Sequence, residues 1–133
     1  MVKILIADDT PELRNQLVWA AKKLENIEID EADNHEEAKT KIDNSNYDVV
    51  ITDLKFESSE EEGIEVLKKA KEKDIYTQVI VITSYPTPQL GIEAMKLGAF
   101  DYIERTAVGT DVLDMVYRKI KLALEFREAK LKK

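Results

Sequence analysis

A short apolar segment that ends on a carboxylate constrains the fold of this chain more than any other stretch. The segment covers residues 47–53, and its centre, Val49 to Ile51, is an unbroken block of β-branched side chains. Such a block is typical of a central strand covered on both faces in a parallel sheet. In open α/β sheets, ligands bind beyond the carboxyl ends of the strands, so Asp53 is a candidate functional residue. Turn chemistry alone is equally consistent with an Asp that only caps a turn.

Four other segments are predicted to be strands. Two of them, at residues 2–7 and 77–83, are apolar runs like the first, whereas those at 27–32 and 100–103 alternate or are short. Helical spacing of apolar residues separates all five, so the predicted order is βαβαβαβαβα in an α/β doubly wound fold. Placing the less apolar strands at the edges gives the parallel order 2-1-3-4-5. Right-handed crossovers then put helices one and five on one face and helices two, three and four on the other.

Local signals define the ends of these helices. Thr10 is a suitable N-cap with Pro11 at the first helical position, and Thr87-Pro88 repeats the pattern. Asn34 is the expected cap of the second helix, and Gly98 suits the left-handed position after the fourth. We predict a domain over residues 1–126, with 127–133 as a charged helical extension or a linker stub.

Composition narrows the classes of function. The 133 residues suffice for one domain, and with no cysteine and a single histidine the chain has no disulfides and an improbable zinc site. Its net charge of −7 argues against direct binding of nucleic acid. No apolar run approaches the roughly 18 residues of a membrane span, and the first residues lack the form of a signal peptide. These features predict a cytoplasmic protein that does not bind membranes.

Polar side chains at three strand ends are expected to meet. In the order 2-1-3-4-5 the first, third and fourth strands are adjacent, which brings Asp8, Asp9, Asp53 and Thr83 to one edge of the sheet. Three carboxylates so close repel one another and normally need a cation. Oxygen ligands without His or Cys favour Mg²⁺, with Mn²⁺ as the alternative. Three independent caps that happen to coincide remain the competing interpretation.

Four motifs in this chain resemble the receiver domains of two-component response regulators. They are Ile-Leu-Ile-Ala-Asp-Asp, Asp-Val-Val-Ile-Thr-Asp, Val-Ile-Thr-Ser and Ala-Met-Lys-Leu-Gly-Ala-Phe-Asp-Tyr-Ile, in the family's order and spacing over residues 2 to about 126. The resemblance implies that Asp53 accepts a phosphoryl group from a histidine kinase. It implies metal ligation by Asp8, Asp9, Asp53 and the backbone carbonyl of Lys55. It also implies a switch in which the Thr83 hydroxyl and the Tyr102 ring move together. From the burial expected of an edge-strand aromatic residue alone, plain packing of Tyr102 on the last helix is an equally good interpretation.

The same resemblance implies partners. They are a sensor histidine kinase or phosphotransfer protein, an output domain or protein target, and a possible homodimer through helix four, strand five and helix five. Self-phosphotransfer and autodephosphorylation would be the only reactions, so the chain is not expected to be a metabolic enzyme.

The chain departs from the family pattern in two places. Arg105-Thr106 stands where the family has a lysine, usually followed by a cis-bonded proline. We expect Arg105 to lie at the rim of the pocket and to contact the phosphoryl oxygens or Asp53 in place of that lysine, because its charge is permanent and its reach sufficient. In addition, Gly63 lies two residues further from Asp53 than is usual, after an acidic stretch at 58–62.

Three other functions compete with phosphoacceptance. A pseudo-receiver would keep the fold and act through protein contacts alone. A Mg²⁺-dependent phosphohydrolase with Asp53 as nucleophile would usually carry a second acid two residues later, where this chain has Lys55. A flavin-binding relative of the same topology would need a phosphate-binding loop after the first strand, where Asp8 and Asp9 repel phosphate.

Overall fold

A computed structural model describes residues 1–54, 61–83, 88–104 and 110–132. Strands and helices alternate in it in the predicted order. The strands are β1 (Val2–Ala7), β2 (Ile27–Ala32), β3 (Val49–Asp53), β4 (Gln78–Thr83) and β5 (Asp101–Glu104). The helices are α1 (Pro11–Ala21), α2 (His35–Asn44), α3 (Glu61–Lys73), α4 (Pro88–Lys96) and α5 (Thr110–Leu131).

The strands form one parallel sheet in the order β2-β1-β3-β4-β5, as predicted. All five residues of β3 are buried, which confirms it as the central strand. Strand β2 lies at one edge, where Glu28 is exposed and Ala32 is buried, in keeping with a strand that has one wet face. Placing the most apolar strands at the centre of the sheet therefore predicted the order of the strands correctly.

Consecutive residues of β3 serve two separate cores. Ile51 packs with side chains of α1 and α5, among them Leu17 and Val116. Val50 points to the opposite face, where it belongs to a cluster with Leu67 of α3 and with residues of α2 and α4. Alternation along a strand sends neighbouring side chains to opposite faces, so a continuous apolar run is needed to feed both layers. The predicted arrangement of helices on the two faces is confirmed.

The helix ends follow the sequence signals with one difference. The Asn34 side chain accepts a hydrogen bond from the Glu37 N–H at 2.8 Å, and Gly98 has a φ of +96° in the left-handed region. Thr10 occupies the N-cap position before Pro11, but its side chain makes no capping hydrogen bond. The turn is held instead by Asp8, whose Oδ1 accepts the Thr10 N–H at 2.8 Å. Thr87 lies outside the described residues.

Candidate functional site

The three predicted carboxylates meet at the carboxyl edge of the sheet. Asp8, Asp9 and Asp53 each offer an oxygen atom, and these three atoms lie within 4.8 Å of one another. The register explains this convergence, because Ala7 of β1 pairs with Thr52 of β3 and the next residue of each strand is then at the same level. Asp8 is fully buried and Asp53 is 9% exposed, so part of this charge lies away from solvent.

Thr83 and Tyr102 lie on the next two strands. Asp53 pairs with Ile82, so Thr83 lies one residue beyond it at the end of β4, and its side chain is only 1% exposed. Tyr102 of β5 pairs with Val81 and is half-buried. Its ring lies against α4, where a Cβ added at Gly91 would be 3.2 Å from the Tyr102 Cε1 atom. The ring joins the core on the α2 to α4 face, and the choice between a switch and plain packing of Tyr102 stays a prediction.

Arg14 is a site residue that the sequence analysis missed. Its Nη1 donates to the backbone oxygen of Asp8 at 2.8 Å, and its Nε donates to Glu31 Oε1 at 3.2 Å. The side chain is only 18% exposed, so it links the end of β1 to the edge strand from a partly buried position. One signal could have found it: Arg14 lies one turn after the N-cap, and its N–H bonds to the Thr10 oxygen, which puts its side chain beside the β1 end.

Gly63 fixes the approach of α3 to the end of β3. A Cβ at Gly63 would lie 2.4 Å from the Leu54 Cα and 2.5 Å from the Asp53 backbone oxygen. Those contacts are with backbone atoms, so no side chain can rotate away to make room. Although Gly63 lies two residues further from Asp53 than is usual in the family, it still places the first turn of α3 in direct contact with the backbone that carries Asp53.

The donor set at this edge fits a small hard cation. Carboxylate oxygens are the ligands that Mg²⁺ takes, at about 2.1 Å, so opposite ligands lie about 4.2 Å apart. The observed spacing of up to 4.8 Å needs only a modest closing of the side chains. The other predicted ligand, the Lys55 carbonyl, and the predicted rim residue Arg105 both lie outside the described residues.

Comparison with known proteins decides the family. The model of the response regulator receiver domain matches residues 4–117, which is most of the chain. The chain belongs to the receiver domain family of two-component response regulators. The resemblance of the four motifs is thereby confirmed, together with the fold.

Curated relatives and solved structures agree with the family. The chain is 34% identical over 103 residues to the sensory transduction protein LytR of Staphylococcus haemolyticus, covering 77% of the chain and 39% of that protein. It is 35% identical over 101 residues to the transcriptional regulatory protein ResD of Bacillus subtilis, covering 76% of the chain and 40% of the relative. The chain thus spans well under half of these relatives. A CheY-like receiver domain protein from Methanospirillum hungatei superposes with a TM-score of 0.83 at 26% identity, over 98% of each chain.

Within the described ranges, none of the helices combines the length and the apolar character needed to cross a bilayer.

Proposed function

We propose that this receiver domain accepts a phosphoryl group on Asp53 in a Mg²⁺-dependent reaction, with a sensor histidine kinase or a phosphotransfer protein as donor. The observation that carries the proposal is the meeting of three carboxylate oxygens within 4.8 Å at the end of the central strand. Of the three acids, Asp53 is the last residue of β3, and Asp8 and Asp9 lie in the loop directly after β1. We therefore assign Asp53 as the nucleophile and the other two as metal ligands.

The proposed reaction transfers one phosphoryl group between two side chains. An Asp53 Oδ atom attacks the phosphorus of a phosphohistidine, an O–P bond forms, and the P–N bond breaks in line with it. The imidazole, protonated on its other ring nitrogen before the transfer, leaves as the neutral base, and the product on this chain is an acyl phosphate. A Mg²⁺ ion held there would neutralise the repulsion between the carboxylates and the anionic donor. Asp8, Asp9, Asp53 and the Lys55 backbone carbonyl would hold that ion.

The acyl phosphate adds charge and acceptor oxygens beside the end of β4. A hydroxyl at the position of Thr83 can follow such an acceptor, and a shift there moves the loop that leads to α4. Tyr102 supports the next step, because its ring packs against Gly91 of α4. A movement of that helix would therefore reach the ring. We propose the face formed by α4, β5 and α5 as the surface that changes. It would serve an output domain, a protein target or a second copy of the chain.

The test is phosphorylation by a small-molecule donor. With acetyl phosphate and Mg²⁺ the intact mass of the parent should rise by one phosphoryl group, and that of Asp53→Asn should not. Beryllofluoride with Mg²⁺ should shift amide resonances at residues 89–97 and 100–104. A phosphorylated Asp53→Asn variant would overturn the assignment of the nucleophile. A parent that takes no phosphoryl group, or whose shifts stay within the loops around the acids, would favour the pseudo-receiver.

Arg105 is proposed to slow the reaction. An arginine near three carboxylates gains Coulomb energy that a metal ion otherwise supplies, so it competes with Mg²⁺ in the unmodified protein. Arg105→Lys should then be phosphorylated at least as fast as the parent, and Arg105→Ala should weaken the shifts at α4 and β5 more than the rate. If both variants react and respond like the parent, Arg105 only points to solvent and pairs weakly with a surface acid.

The location of the chain and its chemistry beyond phosphotransfer rest on the same proposal. A cytoplasmic location, where the donor kinase domains would meet it, stays a prediction. We propose self-phosphotransfer and autodephosphorylation as its only reactions.

A further inference from the structure

A cavity lies at the amino ends of β4 and β5, at the end of the sheet opposite to Asp53. It has a volume of about 480 Å³ and lies between the end of α3, the start of β4, the turn before β5 and the last turns of α5. We call it the α3–α5 cavity. Its aromatic lining consists of Tyr76, Phe100 and Phe126, and the rings of Phe100 and Phe126 are tilted against each other with centroids 5.7 Å apart. The cavity shares no residue with the carboxylate cluster.

Large apolar side chains are exposed around this cavity. Ile75 is 66% exposed, Tyr76 37% and Phe126 44%, and all three line it. Single exposed apolar residues are ordinary on protein surfaces, but several around one concavity are typical of binding sites. The volume also falls in the range of small-molecule sites, about 300 to 1,000 Å³.

The charged side chains that line the α3–α5 cavity are both lysines, Lys71 and Lys130, among the residues that the structure describes. The Lys71 Nζ donates to the backbone oxygens of Ile75 and Thr77, which fixes the ammonium at the wall of the cavity. Burial lowers the pKa of Lys71, because the ammonium group is partly removed from the water that would solvate its charge. The Lys130 Nζ lies 5.2 Å from the centre of the Phe126 ring.

Asp74 is the acid that interacts electrostatically with Lys71, and it is already engaged. Asp74 faces Arg127, whose Nη2 lies 3.5 Å from Asp74 Oδ2. In a chain with a net charge of −7, a concave surface lined by two lysines and three aromatic rings is a local exception. A ligand that buries a flat apolar body and presents one negative group would satisfy both features.

We propose that the α3–α5 cavity binds a small amphipathic anion, with one or two aromatic rings against Phe100 and Phe126 and one carboxylate or sulfonate group between Lys71 and Lys130. Rings of this kind stack favourably on aromatic side chains, and an anion in contact with lysine ammonium groups forms charge-assisted hydrogen bonds. The proposal does not depend on phosphorylation of Asp53.

The experiment compares two probes of the same shape. 8-Anilino-1-naphthalenesulfonate carries the anion, and N-phenyl-1-naphthylamine has the same rings without it. Fluorescence titration should give one saturable site for the sulfonate, with an affinity about tenfold above that for the neutral amine. Lys130→Met, an exposed position, and Lys71→Met should each weaken binding of the sulfonate about fivefold and leave the amine unchanged. Lys68→Met on the exposed side of α3 is the matched control and should change neither.

Amide shifts locate the site. The sulfonate should shift the resonances of residues 75–78 and 98–100, on both sides of the cavity. Equal affinity for the two probes would overturn the proposal of an anion site, as would a loss in Lys68→Met as large as that in Lys130→Met. Shifts confined to the α4, β5 and α5 face would place the binding elsewhere and overturn it as well. Because Lys130 is exposed at the end of α5, its variant tests the proposal even if Lys71→Met unfolds.

Discussion

Arg127 donates through its Nε to Asp48 Oδ1 at 2.8 Å, and this contact ties the last turns of α5 to the start of β3. The other oxygen of the same carboxylate accepts the Lys3 N–H at 2.8 Å, so Asp48 also holds the start of β1. The Arg127 side chain is only 14% exposed. The domain boundary at residue 126 stays a prediction, but Arg127, one residue beyond it, contacts the sheet directly.

Arg127→Ala is expected to lower the free energy of unfolding by roughly 1 to 3 kcal/mol, because it leaves a partly buried carboxylate without its charged donor. Urea denaturation measures this. The matched control is Arg118→Ala on the same helix, whose ion pair with Asp114 is 74% and 53% exposed. An exposed pair of this kind contributes about 0.5 kcal/mol or less. Equal losses in the two variants would show that the Arg127 contacts add no more than a surface pair.

Gly63→Ala should destabilise the domain by roughly 1 to 3 kcal/mol, because the new methyl group would overlap the Leu54 backbone. The Cβ would lie 2.4 Å from the Leu54 Cα, and relief requires α3 to move away from β3. Thermal unfolding gives the loss, and weaker Mg²⁺ binding should accompany it.

Gly91→Ala is the control for this prediction. The contact of its Cβ at 3.2 Å is with the Tyr102 ring, which can turn. Its loss should therefore be clearly smaller than that of Gly63→Ala. A Gly63→Ala variant as stable as the parent would contradict the close contact.

The sequence predicted the features that follow from the order of the strands. It did not predict the residues whose roles depend on contacts between distant elements. The apolar blocks fixed β1, β3 and β4 as inner strands, and topology then brought Asp8, Asp9 and Asp53 together. Arg14 and Arg127 could not be predicted in this way. Each is one of many charged residues on a helix, and its role depends on a tertiary neighbour that periodicity does not reveal.

Asp9→Asn should have opposite effects without and with metal. Three carboxylate oxygens within 4.8 Å repel one another, so neutralising one should raise the free energy of unfolding in EDTA by on the order of 1 kcal/mol. In excess Mg²⁺ the parent gains stability from binding, and the variant should gain much less because it lacks a ligand. Urea denaturation in the two conditions checks both halves. The same gain from Mg²⁺ in the parent and in Asp9→Asn would remove Asp9 from the ligand set.

The stability of this domain should also depend on Tyr47 at alkaline pH. Tyr47 is 2% exposed, and its hydroxyl donates to Asp30 Oδ2 at 2.6 Å. Burial and then the hydrogen bond to Asp30 raise the pKa of Tyr47 well above its usual value of 10.0. The folded protein therefore keeps this proton while the unfolded chain loses it above about pH 10. The stabilising contribution is complete below pH 10 and is lost as the pH rises further.

Tyr47→Phe should cost roughly 1 to 3 kcal/mol at pH 7, through the lost hydrogen bond to a carboxylate. Above pH 10 the parent should lose stability more steeply than the variant, by up to about 1.4 kcal/mol per pH unit, so the gap between them closes. Lys71, whose pKa is lowered by burial, shifts stability in the opposite direction as the pH approaches 10.5. It titrates in both proteins and cancels in the difference. Urea denaturation of both proteins at pH 7, 10 and 11 tests this, and a gap that stays constant would show that Tyr47 ionises alike in the folded and unfolded chains.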